Sequence, residues 1–117
     1  MLRMVARSKI HGLRITDRNL AYGGSLTLDA DLMAAADLAP GERVQVVNLA
    51  NGSRLETYLI KGEAGSGMVV LNGPAARSGE VGDVVHVICC ALVTDDELTP
   101  DLPRVVSVDE GNHPLIP

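Results

Sequence analysis

Three Gly-Ser pairs, at Gly24-Ser25, Gly52-Ser53 and Gly65-Ser66, set a hydroxyl beside the carbonyl of the preceding glycine. Each pair is therefore a candidate reactive site, since a hydroxyl beside a carbonyl is what an acyl shift uses. Spacing alone does not rank the three, and a serine beside glycine is ordinarily a turn residue. Gly52-Ser53 is explained by a hairpin, and Gly65-Ser66 by a loop from Glu63 to Gly67. Tyr22-Gly23-Gly24-Ser25 differs. Two consecutive glycines between a short helical turn and a strand permit a backbone conformation that other residues resist, and strain at a turn is what an acyl shift needs.

A second group could hold a small acid. Lys9 and His11 lie two apart and share a face if residues 2–14 are a strand. Arg54, Glu56 and Tyr58 likewise share one face of another strand. Two cations and a phenol suit a dicarboxylate: a guanidinium pairs bidentately with one carboxylate, an ammonium neutralises another, and a phenol passes a proton. The bland counterpart is a solvated charged face. Thr57 points away from Tyr58 in a regular strand, so the two serve one site only if the strand bulges or twists, or if they act on opposite sides of the backbone. A third feature is the apolar strand entering Asn72-Gly73-Pro74-Ala75-Ala76. Bare amides in a small-residue loop can approach an anion closely, although Pro74 removes one donor and the loop also reads as a plain turn. There is no phosphate-binding glycine loop ending in Lys, no metal-ligand spacing and no serine-histidine-acid order. His86 reads as a core residue and His113 as a tail residue.

The elements that must position these groups are short. At 117 residues the chain is one domain, 1–117, with a single modest core. It has no Trp or Phe and only two Tyr, so the core is aliphatic and no aromatic platform for nucleic-acid bases exists. Residues 1–94 balance nine acids with nine bases; the net charge of -5 comes from the tail after residue 94, where six acids face only Arg104. That distribution argues against a nucleic-acid partner. The basic start lacks the apolar core of a targeting peptide, and no stretch is long enough to span a bilayer. Cys89 and Cys90, adjacent in a strand, point to opposite faces and read as buried, reduced thiols of a cytoplasmic protein. Strands are expected at 2–14, 25–28, 43–49, 53–61, 67–71, 84–94 and 104–108, the pattern of an all-β barrel or sandwich. Asn51-Gly52 supplies the positive φ angles of a tight hairpin turn. One helix is expected from Asp29 or Asp31 to Leu38, capped by the aspartates and stopped by Pro40-Gly41. A helical turn is expected at Asp17–Leu20, and the tail from about residue 95 reads as loosely packed.

Together, Lys9-Ile10-His11, Tyr22-Gly23-Gly24-Ser25, Asp29-Ala30-Asp31-Leu32-Met33, Asn51-Gly52-Ser53-Arg54, Thr57-Tyr58, Gly65-Ser66-Gly67, Asn72-Gly73 and Val81-Gly82-Asp83 resemble, in order and spacing, the bacterial aspartate 1-decarboxylase family. The resemblance runs from Met1 to about Val93. It implies a mainly β fold, a double-psi β-barrel with one or two short helices, in a cytoplasmic homotetramer whose active sites lie between subunits. It also implies a proenzyme that cuts itself between Gly24 and Ser25 into chains 1–24 and 25–117. The Ser25 residue would become a pyruvoyl group that condenses with the amine of L-aspartate, with no metal and no pyridoxal phosphate. Tyr58 resembles the proton donor, and Thr57 the group that stabilises the oxyanion of the cleavage step and lies against substrate. Lys9 and Arg54 resemble the carboxylate ligands, and Gly73, Pro74 and Ala75 the backbone-binding loop, with His11, Tyr22 and Asn72 in support. The product would be β-alanine for pantothenate, and a maturation factor is a conceivable partner.

Departures from the family pattern are Pro74, where alanine is usual, His86, where an aliphatic residue is usual, Gly23, and a short divergent tail. Two other readings follow. Pro74 and His86 suit a decarboxylase of a different acidic amino acid. A barrel of this type could also bind a small acid or a protein partner without catalysis, since fold alone does not fix activity.

Overall fold

A computed structural model describes residues 1–20 and 23–115. Among the described residues eight strands form: β1 Leu2–Arg14, β2 Asp17–Asn19, β3 Ser25–Asp29, β4 Arg43–Asn48, β5 Arg54–Gly62, β6 Val69–Asn72, β7 Val84–Thr94 and β8 Arg104–Ser107. Helix α1 covers Ala30–Ala35, and a 3-10 helix covers Gly73–Ser78. The strands are joined in the order β2-β6-β3-β5-β4-β7-β1-β8, with parallel and antiparallel neighbours mixed. β1 and β2 stand far apart in that order yet are joined by only Ile15 and Thr16, and the Thr16 N–H donates to the Val69 carbonyl of β6 at 2.9 Å. This short crossing curls the sheet round on itself, and the fold is a mainly β, barrel-like one.

Alternation decides which side faces in. Along β4, Val44, Val46 and Asn48 are buried while the residues between them are not. Ile10, Leu13, Leu26, Leu28, Leu59, Leu71, Val85 and Val87 fill the interior with Ile15, all at 1 % exposure or less. With no large aromatic ring to fill gaps, each branched side chain matters. Truncating a residue such as Leu28 to alanine removes buried methylenes and leaves a cavity, at a cost of about 2–5 kcal/mol.

Helix α1 begins as expected, with the Asp29 side chain accepting the Asp31 N–H at 2.7 Å. It ends earlier than Leu38. Asp37 adopts φ 55°, its N–H donates to the Ala34 carbonyl, and the Leu38 N–H donates to the Met33 carbonyl. This is the paired bonding of a Schellman end, which satisfies the terminal carbonyls before Pro40-Gly41 is reached. The helical turn expected at Asp17–Leu20 is also overturned: Asp17–Asn19 is strand β2, parallel to β6, because a partner edge outweighs weak local propensity. The β4–β5 turn is a five-residue loop, 49–53, in which Gly52 takes φ 72° but Asn51 does not take a positive φ. Asn51 instead accepts the Ser53 N–H at 2.9 Å through its side chain. The small-residue loop after Asn72 is the 3-10 helix, with Pro74 in its first turn where no N–H is needed.

The tail divides in two. Residues 95–101 are exposed, whereas β8 lies parallel to β1 and Asn112 is buried. The Asn112 side chain accepts the Arg14 N–H and donates to the Arg14 and Gly67 carbonyls, which pins the end of the described chain to the barrel and corrects the expectation of loose packing there. Cys89 and Cys90 do face opposite ways, but only Cys89 is buried; Cys90 is exposed. Among the described residues no helix is long and apolar enough to cross a membrane.

Candidate active site

The site begins with a missing neighbour. The parallel ladder between β3 and β5 starts only at Leu26 opposite Leu59, while β5 continues beside β4 back to Arg54 opposite Val47. Over Leu55–Tyr58, therefore, no strand among the described residues lies beside the β5 edge turned toward β3. Gly24 and the 3-10 helix stand across the gap. They enclose a cleft of about 630 Å³ lined by Gly24, Arg43, Leu55, Glu56, Thr57, Tyr58, Pro74, Ala75 and Ser78.

An open edge is reached from both faces of its strand. Thr57 pairs with buried Val44 and belongs to the inner face, and Tyr58 pairs with exposed Arg43 and belongs to the outer one. The two act on opposite sides of the backbone, and no bulge interrupts the β4–β5 register. The far wall is tied in place by one acceptor: the Ser78 carbonyl takes hydrogen bonds from Asn48 Nδ2 at 3.2 Å, Asn51 Nδ2 at 3.1 Å and Ser53 Oγ at 3.0 Å. The β4–β5 loop thereby holds the 3-10 helix at a set distance from β5.

Ser25 opens β3 immediately behind Gly24 and is 1 % exposed. Its Oγ accepts a hydrogen bond from Asn72 Nδ2 at 2.9 Å, and the same nitrogen donates to Thr27 Oγ1 at 2.9 Å. Asn72 is the register partner of Ser25 on β6 and is itself buried, as is Gly73 with φ 61°. Gly24 does not adopt the left-handed region, so the strain expected at this turn is not carried by its φ; a Cβ there would lie 3.5 Å from Pro74 Cδ. At the other end of β3, Asp29 is fully buried. Burial pushes its carboxyl up, but N–H groups of Gly67, Asp31 and Gly65 at 2.7–3.0 Å outweigh that and hold it below the usual carboxylate range.

The remaining expected residues lie elsewhere. Register places Arg54, Glu56 and Tyr58 of β5, Arg43, Gln45 and Val47 of β4, His86, Ile88 and Cys90 of β7, and Lys9 of β1 on one outer face. Arg54 Nη1 donates to Gln45 Oε1 at 3.0 Å, Arg43 pairs with Glu56 at 2.8 Å, and the rings of His11 and His86 stack with centroids 4.1 Å apart. Lys9, His11 and Arg54 thus do not line the cleft of their own chain, whereas Tyr58 and Glu56 belong to both cleft and face. Tyr22 lies outside the described residues. His86, expected in the core, is half-buried on the outer face. Arg43, Leu55 and Ser78 line the cleft without having been singled out; Arg43 was within reach of the hairpin register, whereas Ser78 is brought in only by folding. Among the described residues no group of three or more acids, histidines or cysteines could hold a metal ion.

A family model described as aspartate decarboxylase matches residues 1–115. The chain is 52 % identical over 115 residues to an aspartate 1-decarboxylase of Kosmotoga olearia, covering 98 % of each protein. It is 48 % identical to one of Thermoanaerobacter pseudethanolicus, again over 98 % of each, and 49 % identical to one of Bacillus cereus strain B4264 over 97 % of this chain and 89 % of the relative.

Proposed function

The chain belongs to the aspartate decarboxylase family, and from that premise we propose that it cuts itself between Gly24 and Ser25 and then converts L-aspartate to β-alanine and carbon dioxide, supplying pantothenate synthesis. The observation that carries the reading is the convergence of Gly24, Thr57 and Tyr58 on one cleft, directly in front of a Ser25 hydroxyl held by Asn72.

Cleavage uses Ser25, Gly24 and one water. Ser25 Oγ adds to the Gly24 carbonyl, the C–N bond breaks, and the hydroxyl proton passes to the freed nitrogen, leaving an ester. Loss of the Ser25 α-proton with departure of the Gly24 carboxylate ends chain 1–24 and leaves dehydroalanine at the head of the longer chain. Water then replaces the nitrogen, which leaves as ammonia. Asn72 fixes the direction of the hydroxyl, and a Thr57 hydroxyl donating into the cleft offsets the oxyanion charge. The surroundings fit such a group, since its head would face Thr57 and Tyr58 across small residues.

The resulting pyruvoyl group supplies an electron-accepting carbonyl for the pair of electrons released with carbon dioxide. The Tyr58 phenol returns a proton to the former α-carbon. Gly73, Pro74 and Ala75 present backbone to the substrate, while Arg54 and Lys9 neutralise its carboxylates, with His11 and Tyr22 in support. In one chain those cations sit apart from the cleft, which supports closure of each cleft by the outer face of a neighbour in a homotetramer. Free Cys89 and Cys90 accord with work in the cytoplasm.

Intact-mass spectrometry on fresh and aged protein, followed by a β-alanine assay, tests the reading. Two fragments meeting at Gly24/Ser25, the larger carrying a pyruvoyl terminus, together with β-alanine release, are expected. Processed protein that forms no β-alanine from aspartate overturns it, and an uncut chain that matures only when cell extract is added identifies a maturation factor.

A further inference from the structure

Near its C-terminal end β1 pairs with β7 out of step: Ile10 faces Val87 and Leu13 faces Val85, so His11 and Gly12 together oppose the single residue His86. This is a β-bulge, and Gly12 takes φ 78° to make it. A Cβ on Gly12 would meet nothing within 4 Å, so the backbone angle and not crowding calls for glycine. The bulge frees the Gly12 N–H from the ladder, and it donates to His86 Nδ1 at 3.0 Å. A backbone N–H can only donate, so Nδ1 carries no proton, and in the uncharged ring the proton lies on Nε2. The ring is fixed a second way by stacking on His11, 4.1 Å between centroids at 25°. Burial, with His11 and Lys9 beside it, holds the imidazole below its ordinary range, in keeping with an Nδ1 that accepts.

An imidazole fixed on two sides presents one N–H donor. Across the sheet the same row runs from His86 to Val47 on β4 and Arg54 on β5, and the next row carries Lys9 opposite Ile88. Val47 stands between Arg54 and His86 in that row and brings no polar group of its own. We propose that His86 is a substrate-reading residue of this chain, whose Nε2–H donates to the carboxylate that an acidic substrate keeps, in company with Arg54 and Lys9. This deepens the aspartate reading and rests on it. The assignment to the retained carboxylate follows from chemistry: a grip on the departing carboxylate would stabilise the ground state and oppose loss of carbon dioxide, whereas a grip on the other orients the substrate at no such cost.

Steady-state kinetics on processed His86→Ile and His86→Gln test the proposal, with intact mass confirming equal cleavage. His86→Ile is expected to raise KM for aspartate about tenfold while kcat stays within about twofold, the effect of one hydrogen bond to a carboxylate. His86→Gln, which keeps a donor near the Nε2 position, is expected to recover most of the loss. An unchanged KM in His86→Ile, or no recovery in His86→Gln, overturns the proposal. Nitrogen-15 NMR of the wild-type imidazole, titrated with succinate and with succinamide, gives a readout independent of turnover. A shift of the Nε2–H signal with succinate alone supports the assignment, and equal or absent responses reject it. If processed enzyme fails to decarboxylate aspartate, the aspartate reading falls, while the succinate titration still decides the role of His86.

Discussion

The cleft beside β5 and the outer face of β5, β4, β7 and β1 share strands but are built differently. One wall of the cleft is backbone and small side chains, with Gly24 against Pro74 and the Ser78 carbonyl held by Asn48 at the end of β4 and by Asn51 and Ser53 of the β4–β5 loop. The outer face carries long or ring side chains whose partners are other surface groups, as Arg54 with Gln45 and His11 with His86. The difference matches what each task demands. An acyl shift needs a side-chain hydroxyl oxygen and the preceding carbonyl carbon held within bonding reach, so rigidity outweighs charge. Holding a small dicarboxylate needs charge at adjustable reach, which flexible side chains on a rigid sheet provide.

Variants that separate the two regions test this division. The largest effect is expected at Ser25: Ser25→Ala should remain one uncut chain by intact mass and show no decarboxylation, and any activity would refute the origin of the catalytic group. Tyr58→Phe touches a residue that, like Arg43 and Glu56, belongs to both regions. It should cut at the normal rate but lose about 10²–10⁴-fold in kcat, the usual worth of a positioned proton donor. Slow cutting would instead place Tyr58 in the cleavage step. Arg54→Ala, on the face alone, should mature normally and raise KM for aspartate by about 10–100-fold, as for a lost charge-assisted hydrogen bond; a defect in cleavage would break the comparison. The smallest effect on activity is expected from Asp29→Asn, at the end of β3 remote from Ser25. Because the folded Asp29 carboxyl titrates below its unfolded value, its stabilisation is present above about pH 4 and is lost as pH falls through the folded pKa. Urea midpoints from pH 7 to pH 3 should therefore fall less steeply in Asp29→Asn than in the parent. Parallel curves would show that Asp29 contributes nothing to acid sensitivity.

Much of this was legible beforehand. The alternating strands, the Asp29 cap and the opposed directions of Thr57 and Tyr58 are local consequences of side-chain period and backbone bonding, and the structure contains all three. The helix end at Asp37 was not legible, since a Schellman end closed by a non-glycine residue leaves little trace in residue type. Asp17–Asn19 is not legible as a strand in the sequence, because three residues carry no period and only β6 makes them one. His86 was misplaced because an apolar run with one histidine does not say which face is wet; the bulge at Gly12 and the stack with His11 do.

By itself the amino-acid order determined the strand pattern, the aliphatic core and the family, because period, residue size and motif spacing are properties of neighbours along a chain. Only the tertiary structure decided that Thr57 and Tyr58 reach one cleft from opposite faces, that Ser78 bears its wall, and that His86 joins Arg54 and Lys9 on the outer face. Those relations depend on where β3 stops beside β5 and where β1 bulges against β7, and register between distant strands is settled by the packing of the whole barrel.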